Sequence, residues 1–344
     1  MIIRSKTPLR LGLAGGGTDV MPFVREYGGC VLNVTINMYS YCTIKPTSDG
    51  KVTFIAPDMD QTLVFDSKPI LPIDKDKLPL HCGIYNRIVK QFNGNKPLSF
   101  IMETYSEAPS GSGLGTSSTM VVTILKAFQE WLSLPLGQYE IANLAYQIER
   151  KDLGFKGGMQ DQYAATFGGL NYIEFFDEDH VVVNPLRLKS WLKNEIESSL
   201  VMFYTGLSHD SSKIIDEQSK ALDNKNSLDA MFEIKKQTQK MKEAVLRADM
   251  KNMAECLEAN WQAKKKTSAV ISNPRIEEVY NYAISNGATA CKISGAGGGG
   301  FMMILCDACN RYKLIEALNK LGFGLVRTVD FVDSGSKSWR LYED

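Results

Sequence analysis

This 344-residue chain has no excess of charge of either sign: Lys and Arg total 39 and Asp and Glu total 39. No global field draws it to nucleic acid or an anionic membrane, so any anion site has to be local. Histidine occurs only as His81, His180 and His209. None falls within a motif that carries chemistry, and none needs a catalytic role. The seven cysteines are scattered and odd in number, which suits reduced thiols and argues against a disulfide framework. Their one C-x-x-C pair, Cys306 and Cys309, supplies half of a zinc site. No apolar run approaches the ~18 residues of a membrane span, and Met1 to Pro8 lacks the apolar core of a leader. The expectation is a cytoplasmic protein with neither nucleic acid nor membrane as partner. With 44% hydrophobic residues the chain can bury a large core, and its length favours two domains.

Patterning supports a mixed α/β chain. Strand-like runs rich in Val, Ile, Thr, Tyr and Phe cover 31–45, 51–55, 62–65 and 98–105. A helix follows, with Val121, Ile124, Leu125, Phe128, Trp131 and Leu132 on one face. A second helix covers 136–153, and 170–176 with 181–183 reads as a hairpin around Asp177-Glu178-Asp179. The segment 211–268 is helical in composition, with charges that alternate in sign as on a solvated layer, and it breaks near Asp223 to Asn226. From Asn273 the α/β alternation returns, with strands expected at 288–293, 300–306, 324–331 and 339–342. Two domains are expected, 1–180 and 181–344.

Three glycine-dense stretches stand out. The strongest is Gly111-Ser112-Gly113-Leu114-Gly115-Thr116-Ser117-Ser118, between a strand and an apolar-faced helix. There the backbone amides can approach a phosphate and the helix start adds unpaired N–H groups and a positive dipole end. No Gly-Lys-Ser/Thr follows, so it is not a Walker A loop, and its hydroxyls would share the phosphate and metal contacts. An ordinary capped turn is the alternative. The others are Gly15-Gly16-Gly17-Thr18-Asp19, after Pro8-Leu9-Arg10 on an early strand, and Ser294-Gly295-Ala296-Gly297-Gly298-Gly299-Gly300, between two strands. Two acids lie between the second and third stretches along the chain. Glu149 borders the buried stripe of its helix and is either a ligand or a salt-bridge partner of Arg150 or Lys151. Asp161, in Gly157-Gly158-Met159-Gln160-Asp161-Gln162, is either a reactive carboxylate or a helix N-cap.

The order of Pro-x-Arg, Gly-Gly-Thr-Asp, Gly-Leu-Gly-Thr-Ser-Ser, Gly-Gly-Met-Gln-Asp-Gln and Ser-Gly-Ala-Gly-Gly-Gly-Gly resembles the GHMP kinases, the family of galactokinase, homoserine kinase, mevalonate kinase and phosphomevalonate kinase. The match runs from Pro8 to Gly300. The resemblance implies an α/β (α+β) two-domain fold. Its N-terminal domain would be ribosomal-protein-S5-like with a left-handed βαβ crossover, its C-terminal domain ferredoxin-like, and the site would lie in the cleft between them. It implies ATP as co-substrate, Mg2+ as cofactor and a sugar or sugar phosphate as acceptor, and it leaves a homodimer open.

By that resemblance Gly111 to Ser118 wraps the ATP phosphates, and Ser117 and Glu149 are the metal ligands. Asp161 orients or takes the proton of the accepting hydroxyl, and Arg10 stabilises charge on the transferring group. Gly16, Gly17, Thr18 and Asp19 hold the sugar, and Ser294, Gly295, Ala296, Gly297 and Gly298 close the site against the phosphates. Galactokinase has Gly-Glu-His-Thr-Asp where this chain has Gly15-Gly16-Gly17-Thr18-Asp19, so galactose recognition does not transfer. The triple-glycine form, together with Tyr27-Gly28-Gly29 and Phe167-Gly168-Gly169, is most similar to the bacterial kinases of heptose 7-phosphate, and fucokinase-type members share much of it. An inactive sugar or nucleotide sensor on the same fold is the alternative of another class.

Overall fold

In chain order the elements are β1 (Ile2–Ala14), α1 (Phe23–Tyr27), β2 (Gly29–Pro46), β3 (Lys51–Ala56), β4 (Gln61–Asp66), α2 (Pro79–Phe92), β5 (Phe100–Ser106), α3 (Thr116–Leu132), α4 (Gln138–Gln147), α5 (Gln160–Phe167), β6 (Leu170–Phe175) and β7 (Val181–Pro185). There follow α6 (Ser190–Ser199), β8 (Leu200–Tyr204), α7 (Ser211–Lys220), α8 (Lys225–Leu246), α9 (Met250–Lys265), α10 (Pro274–Ser285), β9 (Ala288–Ile293), β10 (Phe301–Cys306), α11 (Arg311–Asn319), β11 (Leu325–Arg327) and β12 (Lys337–Leu341). The computed structural model describes residues 1–207, 211–220 and 224–342. His209 and the Asp223 end of the expected helix break lie outside the described residues.

Two sheets organise the chain. The first has eight strands, with the path β12-β1-β2-β5-β3-β4 and with β6 and β7 added beside β2. The second has four, in the order β11-β8-β10-β9, all antiparallel. That order and its β-α-β-β-α-β connection are those of a ferredoxin-like layer. β2 spans 18 residues because its two halves serve different neighbours: Gly29 to Val34 pair with β6 and Ser40 to Pro46 with β5.

A division at residue 180 would separate β7 from β6, since Val181 pairs with Phe175 and Pro185 with Asn171. The last strand also belongs to the first sheet and not to the second: Ile2 pairs with Leu341 and Lys6 with Lys337. The strand expected at 324–331 is shorter, ending at Arg327, and Phe331 makes only an isolated bridge to Ile36. One buried cluster joins the layers, packing Leu9, Leu11 and Leu13 of β1 with Leu200 and Met202 of β8, Met303 and Leu305 of β10, and Leu257 of α9. A second core, behind the first sheet, takes the apolar faces of α2, α3 and α4.

Candidate active site

Pro8 has no N–H to give the β1–β2 ladder, and the register shifts between Pro8 and Arg10, as a bulge beside a proline does. Released from the ladder's rhythm, the Arg10 backbone N–H donates to the carbonyl of Leu114 at 3.1 Å, docking β1 on the phosphate loop. The Arg10 side chain, 3% exposed, donates through Nε to Asp161 Oδ1 at 2.7 Å, and its Nη2 lies 2.6 Å from the same oxygen. Its Nη1 donates to the Gly113 carbonyl at 2.6 Å.

The loop before α3 turns through left-handed glycines. At Gly113, φ is +79°, and a Cβ there would fall 2.4 Å from the Ser294 carbonyl oxygen. Among the described residues no side chain caps α3, whose N-cap is Gly115, so its first-turn amides remain available to a ligand. Gly111, Gly113, Gly115, Thr116, Ser117 and Ser118 face a cavity of about 230 Å³. Ser112 and Leu114 are buried and do not line it. The alternation puts one face of the loop in the core and the other on the cavity.

The 136–153 helix ends in a π turn over Ile148–Asp152, a local widening often found at functional sites. It brings the buried Glu149 carboxylate beside α3 and α5. Ser118 Oγ donates to its Oε1 at 3.0 Å and Gln162 Nε2 to its Oε2 at 2.5 Å. Arg150 Nη1 lies 3.6 Å from Glu149, so the ion-pair alternative holds as well as the buried network. Ser117, one residue earlier than the hydroxyl bonded to Glu149, is exposed on the cavity wall.

Asp161 is not a helix cap. The N-cap of α5 is Met159, and the cap acceptor comes from far along the chain: Asp19 Oδ2 accepts from the Gln160 backbone N–H at 3.0 Å, and Asp19 Oδ1 from Gln160 Nε2 at 3.2 Å and from Gly17 N–H at 3.0 Å. Burial pushes the Asp19 carboxyl above its usual value, with the nearby Asp161 charge adding to it and the backbone donors opposing it. A Cβ on Gly158 would lie 1.9 Å from Asp19 Oδ2, so this approach of loop to carboxylate requires glycine. Asp19 and Gly17 line the cavity. Thr18 does not, being fully buried with Oγ1 donating to the Gly15 and Cys30 carbonyls at 2.9 and 2.8 Å. Its hydroxyl closes the turn.

Of the third stretch, Gly295 and Ala296 reach the cavity. Ser294 ties the loops, its Oγ donating to the Gly113 carbonyl at 2.9 Å and accepting from Gly12 N–H at 3.3 Å. Gly297 and Gly298 turn away to Ile271, where Gly298 N–H donates to the Ile271 carbonyl at 2.8 Å.

The helical segment 211–268 is more than a solvated layer. Ile215, Gln218 and Lys264 form part of the cavity wall, and Trp261 is wholly buried. Lys264 sits in the run Lys264-Lys265-Lys266, where its charge reads as surface. The spacing from Leu257 and Trp261 along one face of α9 was the available signal.

A phosphate-sized loop at an uncapped helix, a carboxylate held by a buried arginine and a second buried carboxylate share one cleft between sheets, the arrangement of a small-molecule kinase. The chain matches the GHMP kinases N terminal domain over residues 80–169 and the GHMP kinases C terminal domain over 241–323. It is 50% identical to the D-glycero-alpha-D-manno-heptose 7-phosphate kinase of Campylobacter jejuni, over 98% of this chain and 99% of that one. Its structure superposes at a TM-score of 0.85 on that of a D-glycero-D-manno-heptose 1-phosphate kinase from Bacteroides thetaiotaomicron, 44% identical, covering 99% of this chain and 100% of that one. An L-fucokinase/L-fucose-1-P guanylyltransferase of Bacteroides fragilis is 25% identical over 88% of this chain and 34% of its own length. The chain belongs to the GHMP kinase family. It is a sugar kinase with the two-domain fold of that family.

Proposed function

We propose that this enzyme transfers the γ-phosphoryl group of ATP to the anomeric hydroxyl of D-glycero-D-manno-heptose 7-phosphate, giving the 1,7-bisphosphate. The single observation that carries the substrate is the 50% identity to a heptose 7-phosphate kinase over nearly the full length of both chains. The Arg10–Asp161 pair facing the phosphate loop supports the reaction type. A new O–P bond forms at the sugar oxygen while the bond from the γ-phosphorus to the β–γ bridging oxygen breaks. The electron pair leaves with ADP, and the hydroxyl proton passes to the Asp161 carboxylate. An anomeric hydroxyl is more acidic than an ordinary alcohol, within reach of such a base. The loop amides and the start of α3 hold the phosphates, and Asp19 holds sugar hydroxyls.

Magnesium, when bound, neutralises phosphate oxygens. The Glu149 carboxylate and Ser117 hydroxyl would hold it, and they suit its preference for hard oxygen donors with water and phosphate completing the shell. Arg10 donates to Asp161 and to the Gly113 carbonyl, so its first role is to aim the base. ATP as donor, together with seven free thiols, supports a cytoplasmic location.

The test is ADP release with ATP and magnesium on heptose 7-phosphate, heptose 1-phosphate, fucose, galactose and mannose. Heptose 7-phosphate should lead by more than about tenfold in kcat/KM, roughly 1.4 kcal/mol. A lead for free fucose would replace the substrate and keep the class, and a lead for heptose 1-phosphate would move the accepting oxygen to the other end of the sugar.

A further inference from the structure

Cations clamped on the transferring phosphoryl group stabilise its charge, and Arg10 is largely committed elsewhere, to Asp161 and the Gly113 carbonyl. A second cation is in place. Lys264 of α9 is 1% exposed, although its neighbour Lys265 reaches out to Glu277 at 3.2 Å. The Lys264 ammonium donates to the Gly295 carbonyl at 2.5 Å and lies 3.5 Å from where a Cβ on Gly16 would sit. The first and third glycine stretches therefore meet at this nitrogen, on the cavity wall. An ammonium has three N–H donors, and among the described residues Gly295 is its one hydrogen-bond acceptor, with no carboxylate within salt-bridge distance.

The groups around it set its charge. Burial pushes the Lys264 ammonium down to about 8; Asp19 and Asp161 act to hold it up and Arg10 to push it down. Lys292, buried behind it on β9 and donating to the Gly12 carbonyl at 2.8 Å, is pushed down by burial, by Lys264 and by Arg10. A buried ammonium with donors unspent is costly unless an anion or a strong acceptor joins it. Phosphoryl oxygens meet that need.

We propose that Lys264 is a catalytic residue of the transfer, its ammonium contacting the phosphoryl oxygens as they join the accepting oxygen. It stays protonated and forms no covalent bond; the proton of the hydroxyl still goes to Asp161 and the leaving pair to ADP. This inference rests on the ATP-dependent kinase reading above.

Two variants separate charge from packing. Lys264→Met removes a desolvated charge at similar volume, and Lys264→Gln keeps a donor for the Gly295 carbonyl without the charge. Both are expected to hold Tm within a few degrees of wild type while kcat falls by about 100-fold, a loss of the size that removing one transition-state donor gives. Wild-type kcat/KM is expected to decline as pH rises through about 8, and that decline should disappear in both. Basal hydrolysis of ATP with magnesium, which needs no sugar, should fall in parallel. A wild type active on ATP but on none of the sugars would sink the heptose assignment alone, and basal hydrolysis would then decide Lys264. Full activity in Lys264→Gln with loss in Lys264→Met would make the residue a structural tie to Gly295. Unchanged kcat or unchanged basal hydrolysis in both variants would overturn the proposal.

Discussion

Arg10 holds Asp161 by one oxygen only. Nε and Nη2 both approach Oδ1, at 2.7 and 2.6 Å, and among the described residues nothing hydrogen-bonds Oδ2. That second oxygen, on a side chain 23% exposed to the cavity, is the one free to take a proton. Asp161→Asn should therefore keep the fold and ATP affinity while lowering kcat by about two to four orders of magnitude. Single-turnover kinetics with an independent measurement of ATP binding checks this, and near wild-type turnover would remove Asp161 from the chemistry.

Glu149→Gln and Ser117→Ala should both raise the magnesium concentration needed for half-maximal rate. The first is structurally tolerable because, among the described residues, Gln162 Oε1 is buried without a partner. The Gln162 amide can turn over and present that oxygen to the N–H₂ of the substituted side chain, in place of the donor now given to the carboxylate. Arg10→Met should instead depress the rate at saturating magnesium. Identical, unaltered magnesium curves for all three variants would mean that the metal ligands lie elsewhere.

Gly158→Ala places a methyl 1.9 Å from Asp19 Oδ2, so the Asp19 carboxylate has to move. On the proposed assignment Asp19 serves the acceptor and Glu149 the metal, so the loss should appear as a rise in KM for the sugar of tenfold or more, with KM for ATP changed less than about twofold. Equal rises in both constants would place Asp19 outside the acceptor pocket.

His81 on α2 is buried with Nε2 at 2.8 Å from Thr104 Oγ1, and burial pushes its imidazole from 6.5 down to about 4. Between these values the unfolded chain binds a proton that the folded chain refuses. Stability is therefore complete above about pH 6.5 and falls toward pH 4, by roughly 3 kcal/mol at most. His81→Gln, which can still bond Thr104, should flatten this part of a pH series of urea midpoints. An unchanged slope would assign the acid sensitivity to other groups.

The glycine stretches were legible in the sequence because their signals are local, whereas Arg10, Glu149 and Asp161 stood out only through the order of motifs that resembles the GHMP kinases. Left-handed turns favour glycine, and a strand, Gly-rich loop and helix start within ten residues mark a candidate phosphate site. Strand periodicity likewise marked 51–55, 98–105, 170–176, 288–293 and 300–306, close to the observed β3, β5, β6, β9 and β10. Tertiary structure alone decided where the last strand goes, since the Lys337–Leu341 run alternates half-buried and exposed residues and would suit the edge of either sheet. It also decided that Asp19 caps a helix 141 residues away and that Thr18 closes a turn. Lys264 shows the reason most plainly. Its neighbours in sequence are charged and its helix is amphipathic, so its burial depends on the Gly16 and Gly295 loops being folded against it, a long-range condition that no window of α9 contains.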